Sequence, residues 1–130
     1  MHPICVLICT CICAAASLRA AEPAAAALLE AGAYHCATTT TDGGLDLFDL
    51  TIERDGETVR AAMSDRDAHL SGRLIGQRLY LSRTDISDMG MEIVQVIGTI
   101  RDDGTVRGSA VRTLDGIVIE RGVFTLRRLR

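Results

Sequence analysis

No lysine occurs anywhere in the chain: all 14 basic residues are arginine, a bias that GC-rich coding accounts for without any selected guanidinium surface. Against 17 acidic residues they leave a net charge of −3. A nucleic-acid footprint needs a basic face, so this balance argues against one. Histidine occurs three times, and His35 and His69 have no His-x-His, His-Glu-x-x-His or Cys-x-x-Cys spacing around them. A metal site needs three or four converging ligands, which this set does not supply. Gly-x-Ser-x-Gly, phosphate-loop and dinucleotide fingerprints are missing as well. His35 beside Cys36 makes no dyad, because adjacent strand residues point to opposite faces. The sequence therefore reads as that of a non-enzyme, with no catalytic residue, metal or cofactor.

Cysteine is almost absent from the body of the chain. Four of the five cysteines lie in the uncharged run 4–16, which ends at Ser17-Leu18-Arg19. The run has the length of the apolar region of an export signal, roughly 7–15 residues, and falls short of the about 20 that a membrane-spanning helix needs. Residues 1–21 are expected to be a signal peptide, cleaved after Ala16 or nearer Ala21, which places the product in the periplasm or outside the cell. Met1-His2-Pro3, ahead of the run, lacks the usual Lys or Arg. Lipid attachment is the competing reading. Against it, Cys5, Cys9 and Cys13 each follow an isoleucine where a small residue is wanted, and Cys11 has too little apolar chain before it. Cys36 is then the sole mature cysteine, which rules out an internal disulfide framework. It is expected to be buried, because it shares a strand face with Tyr34.

Residues 22–32 read as a short helix or linker: Pro23 suits the first turn, the alanines have the best helix propensity, and Gly32 suits the stop. From residue 33 to 130 the apolar period changes to two and turn signals recur, which predicts a single antiparallel all-β domain. Asp55-Gly56 is a hairpin signal that would pair Ile52 with Val59, Leu50 with Ala61 and Phe48 with Met63, all apolar and all on one face. Gly76-Gln77 has Gly first, as a type II′ turn requires, and pairs Leu74 with Leu79 and Gly72 with Leu81. A three-residue loop with Gly104 left-handed pairs Ile100 with Val106, Gly98 with Gly108 and Val96 with Ala110. At Asp115-Gly116 the following Ile117-Val118-Ile119 is apolar on both faces, which a covered strand or a bulge would each explain. The sum is a meander of about eight strands. Closing the sheet into a small up-and-down barrel satisfies them best, because closure removes exposed edges; an open sandwich is the alternative. Glycines 72, 98, 108 and 122 fall within strands, where they permit the sharp bends of a small barrel.

Gly32-Ala33-Tyr34 opens the first strand, Phe124-Thr125-Leu126-Arg127-Arg128 closes the last, and Gly-Thr-Ile-Arg-Asp-Asp-Gly-Thr-Val-Arg-Gly at 98–108 makes a strand-turn-strand. In these features the chain resembles the small secreted bacterial barrels of the calycin type, lipocalin-like in the broad sense. Those open with Gly-x-Trp and close with an Arg that packs over the aromatic; here Tyr stands in the place of Trp. The resemblance implies a barrel with room for a cavity and no particular ligand.

Two function classes follow. In the first, the inward set (Phe48, Leu50, Ile52, Val59, Ala61, Met63, with Gly72, Leu74, Leu79 and Leu81, then Val94, Val96, Ile100, Val106 and Ala110) leaves an apolar cavity for a small hydrophobic or amphiphilic ligand. Phe48, Leu50, Met63 and Leu81 would line it. Arg83 and Arg112 share the inward parity and would meet a ligand anion, unless they snorkel outward at strand ends. The alternative to a cavity is a tightly packed core. In the second class, the domain is an envelope interaction or inhibitor module. Its contacts would come from the acidic tip 64–67 and from the loop 84–89, chiefly Asp85, Ile86, Asp88 and Met89. A monomer is expected in either case. The stretch 41–49 superficially resembles a calcium-binding nonapeptide but lacks its second Gly-x-Asp glycine and occurs once, so a plain turn is expected there.

Overall fold

The computed structural model describes residues 29–129. The expected signal peptide, with its cleavage sites and cysteines, lies outside the described residues, as does most of the expected helix. The described end of that segment is not helical: residues 29–31 form bends and coil, and Gly32 already belongs to the first strand.

Eight strands follow: β1 (Gly32–Thr40), β2 (Leu45–Asp55), β3 (Thr58–Met63), β4 (His69–Ile75), β5 (Arg78–Ser87), β6 (Gly90–Ile100), β7 (Val106–Leu114) and β8 (Ile117–Arg128). Each pairs antiparallel with the next, and β8 pairs with β1 to close an up-and-down barrel. Closure satisfies the backbone of every strand over the barrel proper. Because the strands alternate in direction, the β2–β3, β4–β5 and β6–β7 turns gather at one end and the other four connections at the opposite end.

Two predicted hairpins form in the register read from the sequence. Leu74 faces Leu79 and Gly72 faces Leu81 across the Gly76-Gln77 turn. Ile100 faces Val106, Gly98 faces Gly108 and Val96 faces Ala110, with Gly104 at φ +83°. The β2–β3 hairpin differs by two residues. Leu50 lies opposite Met63, Ile52 opposite Ala61 and Arg54 opposite Val59, so the turn is Gly56-Glu57 rather than Asp55-Gly56. A slip of two leaves every side chain on its face, so apolar pairing alone cannot exclude it. What decides it is Gly56, which takes φ +59° at the first loop position, as a type II′ turn demands.

The last hairpin turns at Asp115 and Gly116, both with positive φ, as in a type I′ turn. Its ambiguous strand contains a bulge: Arg112 pairs with Glu120 but Thr113 with Val118, leaving Ile119 as the extra residue. The covered-strand alternative fails, since Ile117, Val118 and Ile119 are all exposed.

The interior divides into two halves. At the end with the tighter turns, Tyr34, Ile52, Val59, Leu79 and Val106 are wholly buried, and Leu29 joins the same cluster from the segment before β1. Two polar anchors hold that segment: the Tyr34 hydroxyl donates to the Glu30 carbonyl at 2.7 Å, and Arg54 Nη1 donates to the Leu29 carbonyl at 2.8 Å. Toward the opposite end the side chains thin out, and Phe48, Leu70 and Val96 are only partly covered.

Candidate functional site: a cavity in the open half of the barrel

The thinning leaves a cavity of about 220 Å³. Its deeper wall is Cys36, Leu50, Ala61, Leu81, Phe124 and Leu126; nearer the mouth come Phe48, Met63, Leu70, Val94, Val96 and Ala110. The space exists because strand alternation puts small residues, Ala61, Ala110 and Gly122, on the inner face between larger ones. Two further glycines set the wall's curvature. A Cβ on Gly72 would sit 1.8 Å from the Tyr80 carbonyl oxygen, and one on Gly108 would sit 1.9 Å from that of Ile97. Only glycine lets adjacent strands approach so closely.

The six residues predicted to line a cavity, Phe48, Leu50, Met63, Leu81, Arg83 and Arg112, all border this one space. Phe124, Leu126, Leu70 and Cys36 border it too and were not among them. Leu70 shares the parity of Gly72 and Leu74, and Phe124 and Leu126 alternate in the same way, so period two alone was sufficient to find them.

The rim is charged. Arg83 and Arg112 lie at the mouth with their heads partly in solvent, as snorkelling predicts; both face carboxylates of the chain, and Arg112 Nε is buried without a hydrogen-bond partner. Arg83 Nη2 lies 2.9 Å from Asp85 Oδ2 and 3.8 Å from Glu92 Oε1. Arg112 reaches the same Glu92 oxygen at 4.0 Å and Glu120 Oε2 at 3.9 Å. For Arg83 the anion contact is therefore already made by Asp85, whereas the carboxylates beside Arg112 lie beyond hydrogen-bond distance. Glu92 shares the inward parity of Val94 and Val96, so its direction was readable; its position between two guanidiniums depends on the β5–β6–β7 register. Across the mouth, Thr38, Thr40, Asp46 and Arg66 also border the space.

Cys36 points into the cavity, its Sγ 3.6 Å from Thr38 Oγ1, and burial raises its thiol pKa above the ordinary value. His35, on the opposite face of β1, pairs outside with Asp49 at 2.8 Å. The 41–44 connection is a turn in which Asp42 accepts from the Thr40 hydroxyl and the Gly44 amide; these hydrogen bonds hold its carboxyl below the usual range.

The segment 84–89 is not a loop. β5 runs to Ser87 and pairs with β6 down to Gly90, so Asp85 and Ile86 are strand residues and only Asp88 and Met89 form the turn. The expectation of a loop failed because Thr-Asp-Ile-Ser-Asp-Met lacks the apolar alternation that marks a half-buried strand. This hairpin tip rises beyond the barrel, where one face has no core to meet. Ile86 is 83% exposed and Met89 80%. The neighbouring β7–β8 tip is tied to it: Met91 donates to Asp115 Oδ1, and the Asp115 amide donates to the Met91 carbonyl, both at 2.9 Å. Together the two tips form an exposed apolar lip at the open end of the barrel, carrying Ile86, Met89 and Ile117, none of which lines the cavity.

The geometry defines an eight-stranded antiparallel barrel, closed at one end and hollow at the other. No protein family model matches the chain, and no curated protein does. Among solved structures it is similar to a redesigned beta barrel, at 17% identity and a TM-score of 0.56, over 82% of this chain and 96% of that one. It is also similar to EF1p2_mFAP2b bound to DFHBI, at 20% identity and a TM-score of 0.54, over 81% of this chain and 97% of that one. Both likenesses bear on the fold.

Proposed function

We propose that the chain is an exported barrel that binds one small apolar or amphiphilic molecule in the open half of its interior. The observation that carries this reading is the division of the barrel: a packed half that supplies stability beside a cavity of about 220 Å³ with an apolar wall and a charged rim. A barrel of similar fold was solved bound to DFHBI, which is consistent with such a use of the interior. The calycin-type reading agrees with the register that places Arg128 of β8 opposite Tyr34 of β1. In this account the protein acts as a monomer outside the cytoplasm, without catalysis, metal, cofactor or nucleic acid. No helix among the described residues is long and apolar enough to cross a membrane.

Uptake of an environment-sensitive apolar dye tests the proposal. The native chain should take up one dye molecule saturably. Ala110→Phe, which fills the cavity from a wall position, should abolish uptake while the chain stays folded by circular dichroism. Equal uptake by both, or none by the native chain, would contradict it.

A second reading is favoured by one observation, the apolar lip with Ile86 and Met89 almost fully exposed. Here the barrel is an envelope interaction or inhibitor module, and Asp85, Ile86, Asp88 and Met89 contact a protein partner. Ile86→Ser with Met89→Ser would then release a partner from the envelope fraction and leave dye uptake unchanged.

A further inference from the structure

The rim holds two inward arginines, yet the position between them is filled. A single oxygen, Glu92 Oε1, lies 3.8 Å from Arg83 Nη2 and 4.0 Å from Arg112 Nη1. A ligand carboxylate shared by these two guanidiniums would need that same place. Asp85 and Glu120 engage the pair from its outer sides, at 2.9 and 3.9 Å. On this side of the rim Asp85, Glu92 and Glu120 stand beside two guanidiniums, so an arriving anion would compete with Glu92 for the place between them; elsewhere the lining carries one more charge of each sign, Arg66 and Asp46. Glu92 sits opposite Asp85 on β5 and Leu114 on β7, and its side chain is only 28% exposed.

Volume bounds the rest of the ligand. At about 220 Å³ the cavity exceeds the roughly 150 Å³ of an apolar cavity able to hold benzene. The wall offers an apolar body its contacts, and the rim offers a polar end a place in solvent.

Building on the proposed binding function, we propose that Glu92 is the residue that sets ligand class: as a built-in carboxylate between Arg83 and Arg112, it reserves the cavity for uncharged amphiphiles with a single-ring or short-chain body and excludes carboxylic acids. The selection acts through charge, not shape. Replacing Glu92 by its uncharged isostere leaves Arg83 with Asp85 and Arg112 with Glu120, and opens the place between the two guanidiniums to a ligand carboxylate.

The test uses the full chain, with 1-octanol and octanoate competing against the apolar dye at about pH 7, where octanoate is ionised. The native chain should bind octanol at least about tenfold more tightly than octanoate, and Glu92→Gln should raise octanoate affinity about tenfold or more while octanol changes little. Adding Arg83→Gln to Glu92→Gln should remove the gain. Octanoate binding the native chain as tightly as octanol overturns the inference. So does a folded Glu92→Gln chain with an unchanged preference, or a gain that survives loss of Arg83. A native chain that takes up the dye but neither octyl probe overturns this inference alone; one that takes up none of the three overturns the binding reading on which it rests.

Discussion

Gly72 shows how a single residue shapes the barrel. Its absent side chain lets β4 approach β5 until a Cβ would lie 1.8 Å from the Tyr80 carbonyl oxygen. The obstacle is backbone, which cannot swing aside. Gly72→Ala should therefore lower the unfolding free energy by about 1–3 kcal/mol, the usual range for overpacking, measured as a fall in the urea midpoint. That Gly72 lies within a strand was plain from the sequence; which carbonyl it faces required the fold. Cys36 and Tyr34 carry a second consequence at this scale. Burial raises the pKa of both, and for Tyr34 it outweighs the opposing effect of Arg128. Each is neutral when protonated, so the unfolded chain ionises them at lower pH than the folded one. Their contribution to stability is complete below the ordinary thiol range and declines as pH rises beyond about 9. Urea midpoints taken across alkaline pH should show this decline. Cys36→Ala should flatten its earlier part and Tyr34→Phe the part nearer pH 10.

Strand pairing shows what alternation encodes and what it leaves open. Period two assigns a face to each residue, and the inward faces of β2, β3, β5 and β7 were readable from it. It does not separate registers that differ by two, so the β2–β3 turn had to be settled by Gly56 and its positive φ. Alternation also falls silent where a strand leaves the core, which is why 84–89 resembled a loop and why Ile117-Val118-Ile119 gave no face at all. Closure rests on β1 and β8, where Tyr34 lies opposite Arg128 and its hydroxyl anchors Glu30. Tyr34→Ala should cost about 3–5 kcal/mol, as for other large buried aromatics, and lower the melting temperature by several degrees or more. Tyr34→Phe loses one hydrogen bond and should cost about 1 kcal/mol. Similar losses for the two variants would mean that the hydroxyl, not the buried ring, holds this seam.

Across the whole molecule, the packed core and the cavity occupy different ends of one barrel. The packed end, from Leu29 to Val106, carries the wholly buried side chains, and the open end carries the cavity, the ion pairs and the apolar lip. The sequence indicated the barrel and most of the cavity's wall. It did not reveal whether the interior is hollow, because volume depends on how eight strands curve together and not on any one of them. Nor did it reveal that Arg83 and Arg112 are already engaged, since their carboxylate partners come from β5, β6 and β8. Substitutions should divide along the same line. Changes at Ala110 or Met63 should alter binding more than stability, and changes at Ile52 or Leu79 the reverse. Native mass spectrometry of the chain purified from its own source tests the central claim most directly. A stoichiometric small adduct, lost on denaturation and absent from Ala110→Phe, is the expected result. A bare native chain that also takes up no apolar probe would contradict the account.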